Sequence, residues 1–170
     1  MELAERARAL RLAIFDVDGV LTDGTLYIGA QGEALKAFNI LDGHGIRMLQ
    51  AAGVATAIIS GRNSDAVAWR AGELGIAHVA QGVTDKVREF SRLRAATGVE
   101  PAACAFMGDD IPDLAVMRLC GLAVSVPNGA EPVRAAAHYV TRAHGGRGAV
   151  REFCDMVLAA RGQLGHPAAV

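Results

Sequence analysis

Six short apolar runs, each separated from the next by a longer stretch, constrain the fold of this chain more than any other feature. The runs are LAIFDV from Leu12, VATAIIS from Val54, IAHVA from Ile76, ACAFMG from Ala103, GLAVSV from Gly121 and HYVT from His138. Between them GIRMLQAAG, SDAVAWRAGELG, TDKVREFSRLRAATG, DDIPDLAVMRLCG and AEPVRAAA carry apolar residues at helical spacing, and most close on glycine. GAVREFCDMVLAARG, from Gly148, follows the last run in the same pattern. Runs that are apolar on both faces need helices above and below, so the alternation predicts an α/β protein with a doubly wound, Rossmann-like parallel sheet. GTLYIGAQGEALKAFN breaks the rhythm. Its two β-like halves around GAQG predict a β-hairpin flap, Thr25 to Phe38, inserted after the first strand and projecting over the sheet's edge.

Hydrophobic residues make up 52% of the 170, enough for one sizeable core, and we read residues 1–163 as a single domain with residues 164–170 as a disordered tail. Seventeen basic residues against eighteen acidic ones leave a net charge of -1 with no long basic run. Nucleic acid and membrane surfaces are therefore not the expected partners; small soluble molecules are. MELAERARAL lacks the apolar core of a signal peptide and no window is apolar enough to span a bilayer, which places the protein in the cytoplasm as an expectation. Cys104, Cys120 and Cys154 are far apart with no C-x-x-C, which argues against a disulfide framework or a zinc site and for burial as small hydrophobes. The histidines show no H-x-x-x-H pairing, and Trp69, Met117 and Met156 lie at helical spacing among apolar neighbours as expected core residues.

In an open doubly wound sheet, ligands collect where the chain leaves each strand's carboxyl end. The residues there are Asp16 and Asp18 after the first strand, Ser60, Gly61 and Arg62 after the second, and Gly108, Asp109 and Asp110 after ACAFM. Asp16 and Asp18 alternate along extended backbone, so one can attack phosphorus while the other protonates a departing oxygen and later activates water. Carboxylates alone repel a phosphate dianion; a cation is required, and oxygen ligands with room for water favour Mg²⁺. Asp109 would supply the extra ligand. Ser60 and the amides around Gly61 can donate to phosphoryl oxygens, and Lys86 offers a point charge. Helix capping competes for the other acids: Asp110 is a good N-cap with Pro112 behind it, Asp113 sits where an acid favours the helix dipole, and Asp23 beside Gly24 suits a turn.

FDVDGVLTDG, FNILDGHGI, IISGR, QGVTDK, GDDIPD and VTRAHGGRGAVRE, in this order, resemble the haloacid dehalogenase-like phosphohydrolases, and within them the branch acting on 3-deoxy-octulosonate 8-phosphate, from about Arg11 to Asp155. The resemblance implies that Asp16 is the nucleophile and Asp18 the general acid/base, the latter also lending its carbonyl to the metal. It implies Ser60 and Lys86 on the phosphoryl group, Asp16, Asp18 and Asp109 on Mg²⁺, and Asp110 and Asp113 supporting the metal shell or Lys86. The implied reaction is Mg²⁺-dependent hydrolysis of that sugar-acid phosphate through an aspartyl-phosphate, in lipopolysaccharide precursor synthesis. A nine-carbon ulosonate 9-phosphate is an alternative substrate. A non-catalytic oligomerisation module related to sugar-acid cytidylyltransferases is an alternative of another kind.

Neither gap between these motifs holds a cap domain, so the site is expected to stand open unless a neighbouring subunit covers it. The resemblance implies a homotetramer packed through the hairpin, with the glycine-rich tail of one subunit near the site of the next. Three glycines flank Arg147, making a mobile segment able to bring a guanidinium to a carboxylate. Arg147, Arg62 and Gly61 are the expected substrate contacts, and the DGHG segment, Asp42 to Gly45, is expected to line the pocket.

Overall fold

The computed structural model describes residues 1–165. In chain order the elements are α1 (Leu3–Ala9), β1 (Leu12–Phe15), β2 (Tyr27–Gly29), β3 (Gly32–Leu35), α2 (Ile40–Ala51), β4 (Ala55–Ile59), α3 (Asp65–Glu73) and β5 (His78–Ala80). There follow α4 (Lys86–Thr97), β6 (Cys104–Met107), α5 (Leu114–Met117), β7 (Leu122–Ser125), α6 (Glu131–Ala136), β8 (Tyr139–Val140) and α7 (Ala149–Ala160). Six strands form one parallel sheet in the order β5-β4-β1-β6-β7-β8, and β2 and β3 form the separate antiparallel hairpin. The expected doubly wound sheet and flap are both present, and no separate cap interrupts the described residues.

Strand alternation divides the core. Ala13 and Phe15 of β1 face the layer holding α2 and α7, where the Phe15 and Phe153 rings meet edge to face with centroids 6.0 Å apart. Leu12 and Ile14 face the opposite layer, with Phe90 of α4 and Val116 and Met117 of α5. All three cysteines are buried and free, as expected. No described helix is long and apolar enough to cross a membrane.

Four local expectations need correction. The N-terminal segment, given no element from sequence, forms α1, closed by a capping box between Glu2 and Glu5 and packed through Ala7. Trp69 is 71% exposed rather than core, because Val67 and Ala71, four residues apart, define the inward face of α3 and leave Trp69 on the other side. The long helix expected over DDIPDLAVMRLCG shrinks to one 3₁₀ turn, Ile111–Asp113, and the short α5. DGHG lies inside α2, which Asn39 caps by accepting from the amides of Leu41 at 2.8 Å and Asp42 at 3.3 Å. Its glycines serve helix packing: a Cβ on Gly43 would lie 2.2 Å from Arg70 Nη2, and one on Gly45 3.1 Å from Cys154 Cβ. Asp42, buried, accepts from the amides of Gly148 (3.3 Å) and Arg151 (2.8 Å) and so caps α7, away from the cavity that holds Asp16 and Asp18. The proposed tail from 164 falls largely at residues 166–170, outside the described residues.

Candidate active site

The carboxyl ends of β1, β4 and β6 converge on a cleft of about 660 Å³ lined by Asp16, Asp18, Ser60, Arg62, Lys86 and Asp109, among others. Asp16 is the first residue past β1, its amide still donating to the Met107 carbonyl at 3.0 Å, so the sheet itself fixes where its side chain starts. The chain then turns sharply through Gly19 at φ 91°. A Cβ there would sit 2.0 Å from Asp109 Oδ2, so only glycine lets the first loop lie against the third. Ser60, 3% exposed, continues β4 and donates its amide to the Ala80 carbonyl at 2.9 Å. Ser64, not Ser60, caps α3, accepting from the Val67 amide, so the Ser60 hydroxyl is not spent on a helix end. Lys86 opens α4 behind the N-cap Asp85 and is buried, not on the solvated face where a first-turn lysine usually lies.

Two carboxylates hold that lysine. Its Nζ is 2.7 Å from Asp113 Oδ1 and 3.0 Å from Asp16 Oδ1. The other Asp113 oxygen accepts from the amides of Asp109 (3.0 Å) and Asp110 (3.2 Å), which closes the loop after β6 on itself. Sequence left Asp110 and Asp113 open between capping and chemistry, and the structure separates them. Asp110 only caps the 3₁₀ turn, accepting from the Ile111 amide at 2.8 Å, while Asp113 both completes that capping box through the Asp110 amide and anchors Lys86.

Negative charge is in excess here. Burial pushes the Asp109 carboxyl up to about 7, with Asp16, Asp113 and Asp110 adding to the rise and Lys86 opposing it. Burial also raises Asp16 to about 6, reinforced by Asp113 and opposed by Lys86. Burial pulls Lys86 down, yet the carboxylates of Asp16 and Asp113 outweigh it and hold the ammonium above its ordinary value. One oxygen each from Asp16, Asp109 and Asp113 lies within 4.8 Å of the others, and Asp109 Oδ1 is buried with no hydrogen-bond donor among the described residues. A hard divalent cation would satisfy that oxygen and offset the repulsion, so the donor set fits Mg²⁺. The Asp18 carboxylate is not in this cluster.

Asp18 faces instead a group that the sequence reading missed. Lys36, just past β3, places Nζ 2.5 Å from Asp18 Oδ1 and 3.1 Å from Glu33 Oε2. Arg62 adds looser contacts to Asp18 Oδ2 (3.7 Å) and Glu33 Oε2 (3.6 Å). Ser64 Oγ donates to Glu33 Oε1 at 2.5 Å, tying the hairpin to the start of α3. The available signal was the pair of opposite charges Glu33 and Lys36 in an otherwise neutral hairpin. Arg147 does not line the cleft of its own chain. Its guanidinium pairs with Asp23 Oδ2 at 3.0 Å, while Asp23 Oδ1 accepts from the Thr25 amide in the expected turn. The glycines before it are not free either: a Cβ on Gly145 would lie 1.8 Å from the Gly19 carbonyl oxygen.

Residues 59–153 match the model of the haloacid dehalogenase-like hydrolase family. The 3-deoxy-D-manno-octulosonate 8-phosphate phosphatase of Yersinia pestis is 47% identical over 163 residues, 96% of this chain and 87% of that one. A crystal structure of the Y. pestis phosphatase superposes with a TM-score of 0.96 at 45% identity, over 99% of this chain and 91% of that one. The corresponding phosphatase of Moraxella catarrhalis, solved with a magnesium ion, a phosphate ion and a KDO molecule, superposes with a TM-score of 0.92 at 43% identity, over 95% of this chain and 92% of that one.

Proposed function

The chain belongs to the haloacid dehalogenase-like hydrolases, and from that membership we propose that it is a Mg²⁺-dependent phosphatase releasing 3-deoxy-D-manno-octulosonate and phosphate from the 8-phosphate ester. The observation that carries this reading is the clustering of Asp16, Asp109 and Asp113, two of them buried and Asp109 half-buried, around Lys86 at the strand ends. In the proposed reaction an Asp16 oxygen attacks phosphorus, the bond from phosphorus to the sugar oxygen breaks, and Asp18 gives that oxygen its proton. Water then attacks the aspartyl-phosphate and passes a proton to Asp18, which frees Asp16 and phosphate. Ser60 and the Gly61 amide donate to the phosphoryl oxygens and Lys86 balances their charge. Mg²⁺, when held by Asp16, Asp109 and the Asp18 carbonyl with Asp113 in support, supplies the countercharge that brings a dianion to a carboxylate nucleophile.

Arg62, exposed enough at the cleft mouth to turn toward a ligand, is the proposed partner of the sugar acid's carboxylate. A homotetramer joined through the hairpin belongs to the same proposal. Its support is the run of exposed apolar side chains Leu26, Tyr27, Ile28 and Leu35 on that element. Arg147 would then act from a neighbouring subunit if it contacts substrate. Steady-state rates with Mg²⁺ across eight- and nine-carbon ulosonate phosphates test the assignment. The eight-carbon 8-phosphate should give the highest kcat/KM; a preference for a nine-carbon ester or a flat profile would overturn the substrate, and no hydrolysis would overturn the enzyme.

A further inference from the structure

We propose that Lys36 is a positioning residue for Asp18, carried into the site by the hairpin so that docking of the flap and alignment of the acid/base are one event. The proposal rests on the phosphatase reading, and geometry supports it. The Lys36 side chain is 2% exposed and its ammonium is held between Asp18 Oδ1 at 2.5 Å and Glu33 Oε2 at 3.1 Å. An ammonium taken out of water must stay with its carboxylates, since breaking such a pair strands a buried charge. The flap is in turn pinned from below by Ser64, which caps α3 with the oxygen that also donates to Glu33.

The two Asp18 oxygens are thereby made unequal. Lys36 occupies Oδ1, whereas among the described residues Oδ2 has only Arg62 at 3.7 Å, beyond hydrogen-bond range, and Asp18 borders the cleft. Oδ2 is therefore the oxygen free to exchange a proton with the leaving group and with water. Nothing in the Asp18 loop itself holds the carboxylate in this orientation, because its neighbour Gly19 sits at φ 91° and adds no side chain. The clamp comes from eighteen residues further along the chain.

A positioning role and a merely structural one differ in how rate depends on the leaving group. Substituted phenyl phosphates, from p-nitrophenyl to unsubstituted phenyl, present the same reacting group with leaving oxygens of increasing basicity, and kcat/KM reports transfer to Asp16. In Lys36→Met, phenyl phosphate should lose on the order of tenfold more kcat/KM than p-nitrophenyl phosphate, because only the poor leaving group needs a well-placed acid. Lys36→Arg, which keeps the charge but moves the donor, should lie between, and it carries the same test should Lys36→Met fail to fold. A crystal structure of either folded variant should show the Asp18 carboxylate turned from its wild-type position. Equal losses across the series, or an unmoved Asp18, would overturn the assignment. Wild-type protein that hydrolyses neither these esters nor the octulosonate 8-phosphate would overturn the phosphatase reading instead.

Discussion

Asp109 shows how much a single side chain can state about chemistry. Its Oδ1 is buried without a donor, its carboxyl is pushed up to about 7 by burial and by three neighbouring carboxylates, and a glycine is required for its other oxygen to fit. Unpaired buried charge is costly, so such a residue persists where something else neutralises it. The pH dependence follows with its sign. A carboxyl whose folded value lies above its unfolded value of 3.8 binds protons more tightly in the folded chain, so the stability it contributes is lost as pH rises through about 6 for Asp16 and about 7 for Asp109. Metal-free protein should therefore melt at a lower temperature at about pH 8 than at about pH 5, and Mg²⁺ should raise the melting temperature more at the higher pH. An increment independent of pH, read by calorimetry with and without Mg²⁺, would count against the cluster as the metal site. Asp16→Asn should lower turnover by at least about a thousandfold while leaving the fold at least as stable above pH 6, because the neutral amide escapes the burial cost and the Asp113 repulsion that raise Asp16. Near-normal turnover in that variant would remove Asp16 as nucleophile.

Among the elements, the hairpin departs furthest from its reading as a surface insertion. Glu33 of β3 and Lys36 just past it are drawn into the site, while Tyr27, Ile28 and Leu35 stay uncovered, with Ile28 64% exposed. One short element thus carries two jobs, contributing charge to the site through Glu33 and Lys36 and leaving Tyr27, Ile28 and Leu35 uncovered. Ile28→Glu places a charge where a second subunit would pack. It should shift the protein from a tetramer to smaller species in light scattering without changing the Lys36 contacts. A monomeric wild type, or a variant that assembles normally, would remove the hairpin as the interface. The α2–α7 pair shows the converse, an element whose glycines suggested a ligand loop and serve packing. Asp42 spends both carboxylate oxygens on the start of α7, and burial raises its carboxyl even so, which marks a group enclosed by helices and away from the cleft.

For the whole molecule, the segment after Gly145 decides more than its small residues suggest. Asn128 joins its backbone to the loop after β1, donating to the Gly19 carbonyl at 2.9 Å and accepting from the Gly145 amide at 2.8 Å. Beyond it, α7 puts Val150, Phe153 and Val157 into the core. Each such side chain is worth roughly 2–5 kcal/mol against a total of about 5–15 kcal/mol, so deleting residues from Gly145 onward should abolish cooperative unfolding. A truncated chain that still melts cooperatively would show that α7 is dispensable to the core. The amino-acid sequence by itself determined the sheet, most of its helices, the flap and the residues at the strand ends, because these depend on local periodicity and on the rule that strand ends converge. It could not assign Asp113 between cap and anchor, turn Trp69 outward, join Arg147 to Asp23 or bring Lys36 to Asp18. Those outcomes depend on which side chains meet across distant parts of the chain and on which face of a helix packs inward, and only the tertiary structure decided them.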